Sequence, residues 1–302
     1  MAEDGINLMQ ARPLVSVVIP VYNRNPYIRE AVGSVLKQDH EPLEIVVVDD
    51  GSTDGSYEQL ESLSKEGSIR LFTHTRRENR GQSASLNLAI RETRGEFIAV
   101  LDSDDLFAEG KISFQLEFLL KNPDVGMVYG QGHAVDAGGK FLFKVPADDH
   151  EESGDPNRLL LDCYMALPGG ALIRKSILDQ VGYFEELFRA GQDHDMALRI
   201  MEATKVAYLP MLAFYYRKHG DSISAKGLER RWKTGMEILR RAAKRYPYKK
   251  STLRKRKAVL HFRLGQTYWR ESGKLKSLRH MLLAGVMDPI RAFGVILGRE
   301  KA

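Results

Sequence analysis

Short apolar runs alternate with amphipathic stretches through the first half of the chain. The continuous apolar or β-branched runs predict strands at 15–21, 43–48, 69–73, 97–101 and 125–129. Between these runs apolar residues recur at helical spacing, as in the set Ile28, Ala31, Val32, Val35 and Leu36. We expect Asn25 to cap this helix and Pro26 to occupy its first position. The alternation predicts an α/β fold with a mostly parallel sheet that helices cover on both faces.

The second half of the chain contains an irregular segment and then a basic, helical one. Residues 130–170 are irregular and rich in Gly, Asp and Pro, which is typical of substrate-facing loops. Helical periodicity marks further segments at 82–93, 112–120, 175–181 and 193–202, and it is the only signal beyond 225. The last 78 residues hold 22 of the 45 Lys and Arg residues but only 5 of the 40 Asp and Glu residues. This shift predicts a tail at 1–13, an α/β domain at 14–224 and a basic helical extension at 225–302.

The cysteine count and the distribution of apolar residues bear on where in the cell the protein is located. The chain of 302 residues has one cysteine, Cys163, so it cannot form an intramolecular disulfide. The start of the sequence is polar, unlike a secretory signal, and the longest apolar stretch near the end is interrupted by Asp288 and Pro289. These features predict a cytoplasmic protein that is soluble or bound peripherally at the inner face of a membrane.

Acidic residues cluster at the ends of the predicted strands. Asp49 and Asp50 follow the second strand, and the run Asp102-Ser103-Asp104-Asp105 follows the fourth. Ligands bind at the carboxyl ends of the strands in such sheets, where these carboxylates are expected to meet. Carboxylates at i and i+2 suit Mg²⁺ or Mn²⁺, ions that also bind diphosphate oxygens. The alternative is that Asp104 or Asp105 caps the next helix.

Four sequence blocks resemble a known enzyme family. The segments VSVVIPVYNRNPYIREAVGSVLKQ, EIVVVDDGSTDGS, ENRGQSASLNLAI and GEFIAVLDSDD closely resemble glycosyltransferase family 2 over residues 15–105. Weaker matches at GGALIRKSILDQVGYFEE, GQDHDMALRI and YYRKHGDSIS extend to residue 224. The resemblance implies the Rossmann-like GT-A fold. It also implies metal-assisted transfer of a sugar, with inversion, from a nucleoside diphosphate sugar, usually UDP-linked, to an acceptor hydroxyl.

The resemblance assigns the donor site. It implies that the nucleotide contacts the loop at Pro20, Val21 and Tyr22 together with Asp50, Arg80, Asp102 and Ser103. In this assignment Asp50 contacts the base. The alternatives are that Asp49 and Asp50 form a turn before Gly51 and that Arg80 is a solvated charge in a basic loop.

The resemblance also assigns the metal and catalytic groups. Asp104 and His219 would bind Mn²⁺ or Mg²⁺, and Asp193 would be the general base that takes the acceptor proton. A helix cap is the alternative for Asp193, and an ordinary structural role is the alternative for His219. Gly169, Gly170 and Gln192 are placed on the acceptor side, where the alternative for the glycines is a simple turn. Gln192 departs from the glutamate that the family usually carries at this position.

The remaining partners follow from charge and from the absence of other motifs. The acceptor is expected to be a glycan, a lipid-linked molecule or a small molecule, in cell-surface polysaccharide or glycolipid assembly. The basic extension predicts an anionic membrane surface as a partner, with an ordinary amphipathic appendage as the alternative, and we expect no nucleic acid. The loop PVYNRNPY has no glycine, which argues against a nucleotidyltransferase or a nicotinamide dehydrogenase. A catalytically weak sugar-nucleotide-binding or membrane-associated protein of the same fold is the alternative function.

Overall fold

The computed structural model describes residues 12–219, 227–271 and 273–296, with side chains to residue 294. Its strands are β1 Val15–Val21, β2 Leu43–Asp49, β3 Arg70–Thr73, β4 Phe97–Val100, β5 Leu106–Phe107, β6 Val125–Val135, β7 Phe141–Val145, β8 Ala171–Arg174 and β9 Lys205–Arg217. They form one sheet in the order β3-β2-β1-β4-β8-β6-β9-β5, with β7 paired to β6. The strands predicted at 15–21, 43–48, 69–73 and 97–101 are therefore confirmed as β1 to β4 on one side of the sheet, and the strand predicted at 125–129 is confirmed as the first part of β6 on the other side.

The sheet is mixed rather than mostly parallel. The four strands β3, β2, β1 and β4 are parallel, as the sequence predicts. Beyond them, β8 runs antiparallel to both of its neighbours, and β6 and β9 are parallel to each other. β6 and β7 are joined by the short turn at 136–140, and a connection of this length can only join antiparallel strands.

Helices cover both faces of the sheet. The helices are α1 Ile28–Leu36, α2 Ser56–Lys65, α3 Gln82–Glu92, α4 Lys111–Lys121, α5 Pro156–Leu161, α6 Lys175–Val181, α7 Gln192–Ala203, α8 Leu228–Arg245, α9 Lys250–Arg270, α10 Lys274–Met287 and α11 Pro289–Ile296. Successive residues of β1 point to opposite faces, so Val17 and Ile19 join one core while Val18 joins the other. This α/β architecture with C-terminal helices confirms the predicted fold class.

The C-terminal helices belong to the core of the α/β domain. Ile238 and Leu239 of α8 and Leu260 of α9 lie in the same buried cluster as Val18 of β1 and Leu198 of α7. The proposed boundary between residues 224 and 225 lies outside the described residues, as does most of the proposed tail at 1–13. The change in charge near residue 225 is therefore not a change of hydrophobic core.

Some local predictions were wrong. α1 begins at Ile28, and its N-cap Tyr27 makes no side-chain capping bond, so neither Asn25 nor Pro26 has its predicted role. Asn25 instead donates from Nδ2 to the carbonyl oxygen of Asp54 at 2.7 Å, because the loop before α1 packs against the loop before α2. Leu36, the last residue of the expected buried face, is exposed.

Candidate active site

The loops after β1 and β2 form one side of a cleft at the carboxyl edge of the sheet. The backbone N–H of Asp50 donates to the carbonyl of Val21 at 2.8 Å, which holds the two loops together. Pro20 and Val21 are buried, whereas the side chain of Tyr22 is exposed. Of the predicted nucleotide loop, Tyr22 is therefore the residue whose side chain is free to meet a ligand, and the other two can contribute through their backbone.

Asp50 organises the loop before α3. Its two carboxylate oxygens accept hydrogen bonds from the backbone N–H groups of Arg80 at 2.7 Å and Gly81 at 2.8 Å. The side chain of Arg80 is exposed and lies 3.8 Å from Glu186. Asp49 turns back on its own loop and accepts from the backbone of Ser52 at 3.2 Å. The contacts of Asp50 and Arg80 with a nucleotide thus remain predictions. Asp49 supports its own loop through the hydrogen bond that it accepts from Ser52.

The carboxylates of the acidic run after β4 contact different parts of the chain. Asp102 Oδ1 accepts a hydrogen bond from Gln82 Nε2 at 2.7 Å, and Ser103 is buried. Asp105 is buried as well, and its Oδ1 accepts from the backbone N–H of Arg217 at 2.9 Å. Asp105 therefore fixes the end of β9 beside the cleft, while Asp102 and Asp104 remain within it.

Asp104 meets two groups from distant parts of the chain. Its Oδ2 lies 3.1 Å from Arg24 Nε and 2.9 Å from His219 Nε2. The imidazole of His219 also stacks on the ring of Tyr27, with 5.0 Å between the centroids. The start of α1 and the end of β9 thus converge on Asp104, and the predicted pair of Asp104 and His219 is brought together.

The pair of Asp104 and His219 fits a hard divalent ion. Neighbouring ligands of an octahedral ion, each about 2.1 Å from it, lie about 3 Å apart. The 2.9 Å between Asp104 Oδ2 and His219 Nε2 lies near this spacing but is also the length of their hydrogen bond, and Arg24 Nε donates to the same oxygen at 3.1 Å, so an ion would replace these contacts. Within the residues that the structure describes, no three His, Cys, Asp or Glu side chains form a group that could hold an ion. The protein can thus supply two ligands, and water or diphosphate oxygens would have to supply the others.

Two glutamines link the acidic run to the start of α7. Gln192 Nε2 donates to Gln82 Oε1 at 2.7 Å, and Gln82 Nε2 in turn donates to Asp102. Gln192 Oε1 is buried and has no hydrogen-bond partner among the residues that the structure describes. A buried acceptor without a partner is costly, so it favours a ligand that brings a donor such as a sugar hydroxyl.

Asp193 shares its electrostatic environment with the acidic run. Burial raises the pKa of the Asp193 carboxyl above its ordinary value. Burial, followed by the charges of Asp104 and Asp193, raises the pKa of Asp102 to about 7. The charges of Asp104, after β4, and of Asp193, at the start of α7, therefore both lie close enough to act on Asp102.

Gly169 and Gly170 are explained by close packing. A Cβ on Gly169 would come within 2.5 Å of the Phe214 ring, and one on Gly170 would come within 2.3 Å of the Ala166 carbonyl oxygen. Both residues are buried, and Gln115 donates to the carbonyl of Gly170 at 2.7 Å. Since the space beside them is filled, their part in acceptor binding remains a prediction.

Three residues in or near the cleft were not singled out from the sequence. Arg24 and Gln82 lie within the family-like blocks, and their polar types were the only signal that could have identified them. Arg231 of α8 stabilises the charged form of Asp193 and so opposes the increase in its pKa. Nothing in the sequence pattern relates a residue of the basic extension to residue 193, because only the packing of α8 brings them together.

Sequence comparisons match the chain to one enzyme family. The model of glycosyl transferase family 2 matches residues 16–182. An uncharacterized glycosyltransferase of Rickettsia bellii is 33% identical over 217 residues, which cover 71% of this chain and 31% of the relative. The chain thus spans about a third of the length of that relative.

Solved structures share the fold. S. aureus TarS 1–349 in complex with UDP-GlcNAc has a TM-score of 0.69 at 20% identity, covering 90% of this chain and 80% of that one. The mannosyltransferase PcManGT of Pyrobaculum calidifontis, in complex with GDP-Man and Mn²⁺, has a TM-score of 0.61 at 22% identity, covering 97% and 82%. The sheet, the acidic cleft and the family match together show that the chain belongs to glycosyl transferase family 2 and has the GT-A fold.

Proposed function

We propose that the protein is a metal-assisted glycosyltransferase that moves a sugar from a nucleoside diphosphate sugar, UDP-linked, to an acceptor hydroxyl with inversion. The observation that carries the proposal is the group of carboxylates in which the charges of Asp104 and Asp193 both act on Asp102, with His219 beside Asp104. Such a concentration of carboxylates suits a divalent ion and a proton acceptor. The complexes of TarS with UDP-GlcNAc and of PcManGT with GDP-Man and Mn²⁺ support the donor class.

Different residues would act on the departing diphosphate and on the acceptor. Asp104 and His219 would hold Mn²⁺ or Mg²⁺, which when bound neutralises charge on the departing diphosphate. Arg24, which lies 3.1 Å from Asp104, provides a further positive charge on that side. Asp102 would position the donor, and Gln192, on the acceptor side, would accept a hydrogen bond through Oε1.

Asp193 would act on the acceptor. In the proposed step the acceptor oxygen forms a bond to the anomeric carbon while the bond from that carbon to the diphosphate oxygen breaks. Asp193 takes the proton of the acceptor hydroxyl, and the nucleoside diphosphate leaves with the electron pair. The raised pKa of Asp193 suits this role because a more basic carboxylate accepts a proton more readily.

The test is release of nucleoside diphosphate by purified protein from a panel of sugar nucleotides, with Mn²⁺ and with chelator. We expect metal-dependent release from one donor. Asp104→Asn should abolish the metal dependence, and Asp193→Asn should slow release by about 10²- to 10⁴-fold while donor affinity in calorimetry is retained. Asp124→Asn is the matched control, because Asp124 is an exposed carboxylate paired with Lys205 outside the cleft.

Two results would contradict the proposal. Unchanged metal-dependent release by Asp104→Asn would remove Asp104 from the metal site. Tight donor binding without release, even with a broad acceptor mixture, would favour a sugar-nucleotide-binding protein of the same fold.

We also propose a setting for the reaction. The family match and the basic C-terminal helices support a role in cell-surface polysaccharide or glycolipid assembly at the cytoplasmic face of a membrane. No described helix is long and apolar enough to cross a bilayer. Deletion of the gene should alter the surface glycans, and unchanged glycans would contradict this role.

A further inference from the structure

The outer face of the last two helices is apolar. Its members are between 60% and 89% exposed and follow one another at intervals of three or four residues: Leu275, Leu278, Leu282 and Val286 on α10, and Ile290 and Phe293 on α11. We call this set the outer stripe. The intervals on α10 place its four members on one side of that helix. None of the six belongs to either buried core cluster of the described residues.

The inner face of α10 carries two small buried side chains together with Met281. Ser277 and Ala284 are buried, and Ser277 Oγ donates to the carbonyl of Gly265 on α9 at 2.8 Å. Met281 packs against Gly265, where a Cβ would come within 3.0 Å of its Cγ. A surface helix of a water-soluble domain normally turns its large apolar residues inward. The reversed arrangement indicates an apolar environment outside the protein.

Positive charges flank the outer stripe. Lys274 and Lys276 each stand one residue from Leu275, which is about 100° around the helix, on opposite sides of the stripe. Arg279 and Arg291 add two further cations to these helices. The only acidic residue from 274 to 296 is Asp288, which is buried. The surface is therefore apolar along its centre and cationic at its edges.

We propose that α10 and α11 lie in the interface of an anionic lipid surface, with the outer stripe among the acyl chains and Lys274 and Lys276 at the headgroup phosphates. Long lysine side chains can reach the headgroups while their stems stay in the apolar layer. At 14 and 8 residues, the two helices are too short to cross a bilayer, so they lie along its surface.

The charge pattern favours lipid over other occupants. A second copy of the chain would bring two cationic edges together, and like charges in contact oppose association. Nucleic acid would pair with the lysines but would leave six apolar side chains in water. An anionic lipid surface satisfies both parts of the pattern at once.

The first experiment measures co-sedimentation of the full chain with vesicles of phosphatidylcholine, alone or mixed with an equal amount of phosphatidylglycerol. We expect binding to the mixed vesicles to be at least about tenfold tighter than to the neutral ones, and to weaken as salt screens the headgroup charge. Equal binding to both vesicle types, or no binding to either, would overturn the proposal.

Paired variants test the stripe itself. Leu278→Glu combined with Leu282→Glu should weaken vesicle binding by about a hundredfold, since each buried leucine contributes roughly tenfold or more. Leu120→Glu is the matched control, because Leu120 is 53% exposed on α4. Thermal unfolding and nucleoside diphosphate release should be unchanged in both proteins, which separates this proposal from the proposed reaction.

A charge variant tests the edges. Lys274→Gln combined with Lys276→Gln should weaken binding to the anionic vesicles by about tenfold or more while leaving the weak binding to neutral vesicles unchanged.

Undiminished vesicle binding by the leucine pair would overturn the proposal. If light scattering instead showed a dimer that the leucine pair dissolves without affecting lipid binding, a second copy would be the occupant.

Discussion

His194 offers a test of the packing behind the cleft, because its protonation should destabilise the protein in mild acid. The imidazole is buried, and its Nε2 lies 2.9 Å from the carbonyl oxygen of Leu159 on α5. Since a carbonyl only accepts, Nε2 carries the hydrogen and the ring can be neutral. Burial, with a smaller contribution from Arg256, lowers the pKa of His194 to about 4.

The sign and size of the effect follow from this pKa. In the unfolded chain the pKa is about 6.5, so folding favours the neutral ring. The stabilisation is complete above pH 6.5 and is lost as the pH falls through 6.5 towards 4. With a shift of about 2.5 units, the free energy of unfolding should fall by about 2 kcal/mol at pH 5 relative to pH 8.

The assay is urea unfolding of the native protein and His194→Gln at pH 8 and pH 5. The glutamine amide can still donate to Leu159 but takes up no proton in this range. The difference in unfolding free energy between the two proteins should therefore shift by about 2 kcal/mol towards the variant at pH 5. Carboxylates that titrate in both proteins cancel in this difference.

Met196→Leu is the control on the same helix, since Met196 is buried and does not titrate. Its effect on the unfolding free energy should be the same at both pH values. If the difference for His194→Gln also stayed constant within about 0.5 kcal/mol, His194 would not be held neutral by burial, and the packing of α5 on α7 would have to be reconsidered.

Three further substitutions test other parts of the structure. Lys111 is fully buried and its pKa is lowered to about 7 by burial, so Lys111→Met should stabilise the protein at pH 7 by roughly 1–3 kcal/mol in urea unfolding. That gain should shrink at pH 9.5, where the unfolded lysine loses more of its charge; an unchanged gain would contradict the burial. Gly170→Ala should lower the free energy of unfolding by about 1–3 kcal/mol, because the added Cβ meets the carbonyl oxygen of Ala166; an unchanged melting temperature would refute this. Gln82→Met should raise the donor Kd in calorimetry by about tenfold through loss of its bond to Asp102, without changing the fold by circular dichroism; unchanged affinity would exclude this route.

The sequence predicted the parts of the fold that a local pattern determines. The helix predicted at 175–181 has those bounds, and the one predicted at 82–93 ends a single residue earlier. The strands β1, β2 and β4 were recognisable because they are mostly buried on both faces and read as mainly apolar runs, which Ser16 interrupts in β1 and Glu44 in β2.

The second half of the sheet was not predictable in the same way. β9 is 13 residues long but contains Pro210, and its residues alternate irregularly between buried and exposed. β6 continues from the predicted 125–129 to Val135 through polar and glycine positions. Both strands owe their length to pairing with each other, which is a long-range contact that no local window contains.

The candidate site shows the same division. The resemblance assigned roles to Asp102, Asp104 and Asp193, and in the structure the charges of Asp104 and Asp193 both act on Asp102, while the three roles stay predictions. The contacts that surround them join residues far apart in sequence, such as Arg24 with Asp104. A separation of 80 residues carries no periodic signal, so the pair could be found only from the folded chain.

The basic extension illustrates why composition and packing can point to different boundaries. Net charge is set by side chains at the surface, whereas a domain is defined by what its core encloses. α8 contributes Ile238 and Leu239 to the core beneath α7, and it brings Arg231 within electrostatic range of Asp193. The helices that follow at the end of the chain, α10 and α11, carry the exposed outer stripe. The extension therefore has an inner part that packs into the core of the α/β domain and an outer part that carries the outer stripe. Most of its positive charge lies in the inner part, because 15 of its 22 Lys and Arg residues fall at 228–270 and four fall at 274–296. The charge break near residue 225 therefore does not coincide with a change of hydrophobic core.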